Sequence, residues 1–100
     1  MPERLPLDAS VVAAERQLST TLGGEVIILG LDDSVYYGLT DAGVRIWELL
    51  QAPRTIGGIL AVMAGEYDVE HDRLEADVNA LLADLHARGL IAITRSLADR

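Results

Sequence analysis

Two histidines, His71 and His86, and no cysteine are all that the chain offers for imidazole or thiol chemistry. Neither histidine has a second His or Cys at ligand spacing. On one helix they would lie about 22 Å apart along the axis, too far to share a metal. No serine sits in a nucleophile elbow, and no glycine-rich loop follows a strand and opens a helix. Gly23-Gly24 lacks the following helix, and Gly57-Gly58 falls inside one. Paired acid–base work needs two carboxylates on facing walls of a cleft. Asp32-Asp33 instead reads as a turn. Glu66, Asp68, Glu70, Asp72, Glu75, Asp77 and Asp84 are spread over one helix and its lead-in. They make a solvated acidic face, or one that meets a basic segment of a partner. The residues therefore point away from an enzyme, a metal site or a cofactor.

Charge narrows the partners. The net charge is −8, and the cations are eight arginines scattered from Arg4 to Arg100. Such a chain repels a phosphate backbone, so nucleic acid is not expected to bind. The N-terminal residues contain no apolar export segment, and no run of 18 apolar residues occurs. A cytoplasmic location, with no membrane association, is the expectation. One hundred residues suit one domain, and with no Phe its core must be built from Leu, Ile, Val and Ala.

The elements that must position any site follow from the periodicity. Residues 1–10, with Pro2 and Pro6, show none and are expected to form a flexible arm; 94–100 are expected to form a flexible tail. The β-branched run 11–22 reads as a first strand. Gly23-Gly24 supplies the positive φ of a tight hairpin, and EVIILGL is the second strand. After the Asp32-Asp33-Ser34 turn, VYYGLT returns as a third. Val35, Tyr37 and Leu39 share one face, and Tyr36 and Gly38 the other. Thr40 is expected to cap a helix whose stripe is Gly43, Ile46, Trp47 and Leu50, with Trp47 packed in the core. Pro53 stops it, and Thr55 caps a second helix with Ile56, Ile59, Leu60 and Met63 on one side. A long third helix, about 70–88, carries Leu74, Val78, Leu81, Leu82 and Leu85 and ends at Gly89. Leu90, Ile91 and Ile93 could add a short extended piece. The fold class is thus α+β and winged helix-turn-helix-like, a three-stranded antiparallel sheet followed by three helices.

The ordered set GGEVIILGLDDSVYYGLTDAGVRIWELL, PRTIGGILAVMAGEYDV and LLADLHARGLI resembles the PqqD-like family, recognition elements of ribosomally synthesised, post-translationally modified peptide pathways. The matching features are the aromatic third strand ending in Leu39, the cap residue, the pair Ile46-Trp47, Arg54-Thr55, and Gly89-Leu90-Ile91. They span residues 11–93. YYGLT and its surroundings look like the stand-alone leader-binding proteins of lasso-peptide pathways. The founding member of the family, which acts in pyrroloquinoline quinone biosynthesis, usually has Asn where this chain has Thr40.

The resemblance implies that a precursor leader peptide is held as an added strand on the third strand, in a groove against the third helix. By position, Asp33, Ser34, Val35, Tyr36, Tyr37 and Gly38 should pair with the leader. Val26, Ile28, Val35 and Tyr37 should form the strand side, and Leu74, Val78 and Leu81 the helix side, flanked by Arg73 and Asp77. Lasso leaders typically offer a Tyr and a Pro to such a groove. A separate cysteine-type leader protease, and an ATP-dependent lasso cyclase, would be the protein partners. Leu74→Arg or Val78→Arg should then abolish leader binding. The alternatives are a winged-helix DNA-binding regulator, disfavoured by five acids against two Arg on the long helix, and a PqqD-type chaperone of the pyrroloquinoline quinone precursor.

Overall fold

A computed structural model describes residues 6–32 and 34–94. Six strands and three helices follow in the order β1 (Ser10–Ala13), β2 (Gln17–Leu22), β3 (Glu25–Gly30), β4 (Tyr36–Leu39), α1 (Ala42–Leu49), β5 (Arg54–Thr55), α2 (Ile56–Glu66), α3 (His71–Ala87) and β6 (Ile91–Thr94). The expected three-stranded antiparallel meander is β2-β3-β4. Gly23 and Gly24, at φ +57° and +85°, turn β2 into β3 with Leu22 opposite Glu25. Along β3 the pleat buries Val26 and Ile28 beneath the helices and turns Ile27 and Leu29 to the other side.

The run 11–22 is not one strand. Ala13 and Ala14 donate their N–H groups to the Leu50 and Leu90 carbonyls, which bend the chain away before β2 begins. The first piece, β1, instead lies at the centre of a second sheet, β5-β1-β6, antiparallel to both neighbours. Its partners come from distant parts of the chain, so the local β-branched pattern could not separate it from β2. Of the arm expected over 1–10, residues 1–5 lie outside the described residues. Ala9 is fully buried, its carbonyl accepting the Ile56 N–H, while Leu7 accepts that of Gly57. Of the tail expected over 94–100, Thr94 pairs with Ser10 and the rest lies outside the described residues.

Helix boundaries follow local chemistry. At α2 the Thr55 hydroxyl accepts the Gly58 N–H at 3.0 Å, the expected cap. At α1 the expected Thr40 side-chain cap is not formed. Asp41 is the N-cap, at φ +51° and without a side-chain bond, and the Thr40 backbone carbonyl takes the Gly43 N–H. Gly89 ends α3 at φ +73°, and Leu90 returns its N–H to the Leu85 carbonyl. The core joins both sheets to the helices through Val11, Ile28, Leu50, Ile56, Ile59, Met63, Val78, Leu82 and Leu85, with Trp47 buried beside them.

Candidate peptide-binding site

The strand β4 is an edge. It pairs with β3 alone, and no strand of the described residues lies along its other side. Gly30 donates its N–H to the Val35 carbonyl. The antiparallel alternation then makes Ile28–Tyr37 and Val26–Leu39 the hydrogen-bonded pairs. Tyr36 and Gly38 consequently turn their N–H and C=O groups outward. Two donors and two acceptors stand in a row at the spacing an added antiparallel strand requires.

Between α1 and α3 is an apolar cavity of about 210 Å³ that no β4 side chain lines; its nearest link to that strand is Gly43, which lies against the Leu39 side chain. The cavity walls are Ala42, Gly43 and Ile46 of α1, Leu74, Asp77, Val78 and Leu81 of α3, and Met63, Tyr67 and Val69 below. Val69 and Asp77 continue into a more polar recess of about 570 Å³, completed by Asp68, Glu70 and Arg73. The expected helix-side residues Leu74, Val78 and Leu81 are thus brought together, with Arg73 and Asp77 at the polar end. The strand-side residues divide. Tyr37 lies half-buried on the inner face, while Tyr36 and Gly38 are exposed. Ser34 occupies the turn at φ +58°, followed by half-buried Val35. Val26 and Ile28 lie in the core, and none of the expected strand-side residues Val26, Ile28, Val35 and Tyr37 lines either cavity. Asp33 lies outside the described residues. Ala42 and Ile46, which complete the cavity from α1, were not expected there, although Ile46 and Gly43 already marked one helical stripe.

A polar strut joins strand to helix. The Tyr37 hydroxyl donates to Asp84 Oδ2 at 2.7 Å. Arg88 binds the same carboxylate through Nε at 3.1 Å and lies over the Tyr37 ring, 5.1 Å from its centroid. Burial and the Asp84 carboxylate push the Tyr37 phenol up. The Tyr37 hydrogen bond, with help from Arg88 and against partial desolvation, holds Asp84 below the ordinary carboxyl value of 3.8. The Asp84–Arg88 spacing was readable on a helix; its tyrosine partner 47 residues away was not.

Tyr37→Phe should lower folding stability by about 1 kcal/mol, the ordinary net worth of one hydrogen bond. Chemical denaturation measures it. The contribution of Asp84, whose folded pKa is depressed, is complete above its unfolded value and is lost as pH falls through the lower folded one. The gap between wild type and Tyr37→Phe should therefore narrow on the acid side of about pH 4, and again above about pH 10 as the Tyr37 phenol, whose folded pKa is raised, ionises; a gap independent of pH in the acid range would remove Asp84 from the account.

Among the described residues no three His, Cys, Asp or Glu side chains cluster as a metal site, and no helix is long and apolar enough to cross a membrane. The geometry favours holding an extended, partly apolar chain.

Comparison with known proteins bears on this arrangement. No curated protein matches the chain. The solved structure of TbiB1 in complex with the TbiA(beta) leader peptide is 29% identical, with a TM-score of 0.74 over 80% of this chain and 93% of that one. A lasso peptide synthetase B1 complexed with its leader peptide shares the fold at 20% identity, with a TM-score of 0.72 over 82% and 96%. The family model for coenzyme PQQ synthesis protein D matches residues 25–91, from the start of β3 to the first residue of β6. The chain belongs to the PqqD family.

Proposed function

We propose that this protein is a cytoplasmic, non-catalytic holder of the leader segment of a lasso-type precursor peptide. The leader adds as a strand to the open edge of β4 and sends apolar side chains into the cavity between α1 and α3. The protein presents it to a separate cysteine-type protease and to an ATP-dependent cyclase. The observation that carries this reading is an open backbone edge at Tyr36 and Gly38 in the same molecule as an apolar cavity between α1 and α3, the strand tied to α3 by the Tyr37–Asp84 bond. The likeness to TbiB1 in its leader complex supports it.

The magnitudes require both parts. Four backbone bonds at a net ~1 kcal/mol each give about 4 kcal/mol. Ordering a flexible peptide costs ~2–5 kcal/mol. Pairing alone therefore comes out near zero. One or two leader side chains burying ~150 Å² apiece at ~25 cal/mol per Å² add about 4–8 kcal/mol. That takes affinity from about millimolar with one such side chain to about micromolar with two and makes the cavity the source of discrimination.

The test is a titration of synthetic leader peptides with amide exchange read at single residues. A lasso-type leader should bind and protect the Tyr36 and Gly38 amides. Binding with those amides unprotected would refute strand addition, and turnover of the peptide by the isolated protein would refute the non-catalytic role. The family match favours a second reading, a carrier for the pyrroloquinoline quinone precursor. Selective binding of that peptide in the same panel would establish it.

A further inference from the structure

Arg88 caps the C-terminal end of α3 beside the β4 residue Tyr37, and its guanidinium is only partly engaged. Nε donates to Asp84 Oδ1, and the group lies over the Tyr37 ring. Among the described residues Nη1 and Nη2 have no hydrogen-bond partner. Arg45 shows the fuller arrangement in the same molecule. Its Nε and Nη2 hold Glu66 while Nη1 takes Glu48 at 3.2 Å, so one guanidinium accommodates two carboxylates. The Arg88 side chain is 43% exposed against 36% for Arg45, open enough for a second carboxylate to approach.

The Arg88 group is also held in place before any ligand arrives. Asp84 is fixed by the Tyr37 hydroxyl at 2.7 Å, and the ring supports the flat face of the cation. Much of the ordering that a long side chain undergoes on binding is thereby complete in advance.

The register of an added strand decides what comes near. Tyr36 and Gly38 would form its hydrogen-bonded pairs, so the peptide residue between them stands opposite Tyr37 and points to the same inner face. Cβ atoms in such a pair are about 4.5–5.5 Å apart. A Glu carboxylate carried there comes alongside the Tyr37 ring, and Arg88 lies over that ring. The Nη1 and Nη2 N–H groups suit a carboxylate end-on, whereas a Lys would set cation against cation. A free anion is the poorer occupant. One exposed guanidinium beside Asp84, on a chain of net charge −8, has little with which to hold it. A carboxylate delivered by a paired backbone arrives at high effective concentration and needs little affinity of its own.

We infer that Arg88 is a specificity-determining residue that takes an Asp or Glu of the leader, carried at the position opposite Tyr37. This rests on the proposed function and adds to it. The cavity between α1 and α3 favours apolar residues, whereas Arg88 requires one negative charge at one place along the strand.

The experiment takes a synthetic leader peptide that binds wild type and places Glu or Lys at each of its positions in turn. Each pair is titrated against wild type, Arg88→Gln and Arg88→Glu. Residue 88 is exposed at a helix end, so both variants should melt within a few degrees of wild type. At one position Glu should bind wild type about fivefold more tightly than Lys. That preference should vanish in Arg88→Gln and reverse in Arg88→Glu, a coupling that a merely structural arginine would not give. If Arg88→Glu does not fold, the loss of preference in Arg88→Gln decides. No such position on wild type, a preference that survives in Arg88→Gln, or an equal loss for both peptides in the variants would overturn the inference and leave leader holding intact. Failure of every leader peptide to bind wild type would instead sink the proposed function, and the role of Arg88 with it.

Discussion

Gly38→Pro should weaken leader binding by at least about 30-fold while the protein remains folded. By the alternation along β4, the Gly38 N–H faces the open edge rather than β3, so proline removes no bond of the sheet. Its φ is not in the left-handed region, and a side chain there would meet only Ile27 Cδ1 at an ordinary 3.7 Å. The residue before it, Tyr37, lies within a strand, the conformation that precedes proline most readily. What proline does change is the edge itself. One donor is lost, and the ring projects where the incoming strand must lie, disturbing the neighbouring bond as well. Two bonds at ~1 kcal/mol each correspond to the stated 30-fold. Gly38→Ala, which keeps the N–H, should bind within a few-fold of wild type. Calorimetric titration of both variants decides the matter: equal affinity for Gly38→Pro and wild type would place the leader elsewhere.

Val78→Arg should unfold the protein, which changes what that substitution can report. From sequence alone, Leu74→Arg and Val78→Arg read as probes of the groove. In the structure Val78 is 1% and Leu74 6% exposed, and both belong to the core as well as to the cavity wall. Among the described residues the buried polar side chain is Asn79, so an arginine at 78 has no buried carboxylate there to meet. An unpaired buried charge costs several kcal/mol, comparable with the ~5–15 kcal/mol that holds a small domain together. A circular-dichroism melt should show the cooperative transition gone or lowered by more than about 15 °C. Leu81, only half-buried at the cavity rim, is the proper probe. Leu81→Arg should keep the melt close to wild type and lose at least tenfold in leader affinity. A cooperative melt for Val78→Arg near that of wild type would contradict the packing described.

These two cases mark what the residues disclose without coordinates. The Gly23-Gly24 turn, the Thr55 cap and the Gly89 terminus were legible because each acts within a few residues, whereas the expected Thr40 side-chain cap is replaced by its backbone carbonyl. The inward set of β4 was legible from alternation, and the α3 stripe from its period. The division of residues 11–22 was not, because only Leu50 and Leu90, reaching in from afar, bend the chain there. Val26 and Ile28 carry the same apolar signature whether they line a groove or a core. Position against the helices, not residue type, puts them in the core. The Tyr37–Asp84 strut was hidden for the same reason, since nothing near either residue announces the other.

The pairing of β1 with β6 also bears on how the molecule comes into being. Ser10 stands opposite Thr94 and Ala13 opposite Ile91, so almost the entire chain is threaded between the two sides of one ladder. Such closure is entropically demanding and slow compared with neighbouring hairpins. On a translating ribosome the β2-β3-β4 ribbon can assemble early and β1 can meet β5, but the β1–β6 ladder must wait for residues 91–94 to leave the exit tunnel. A nascent chain would thus present the β2-β3-β4 ribbon before its helical backing is locked.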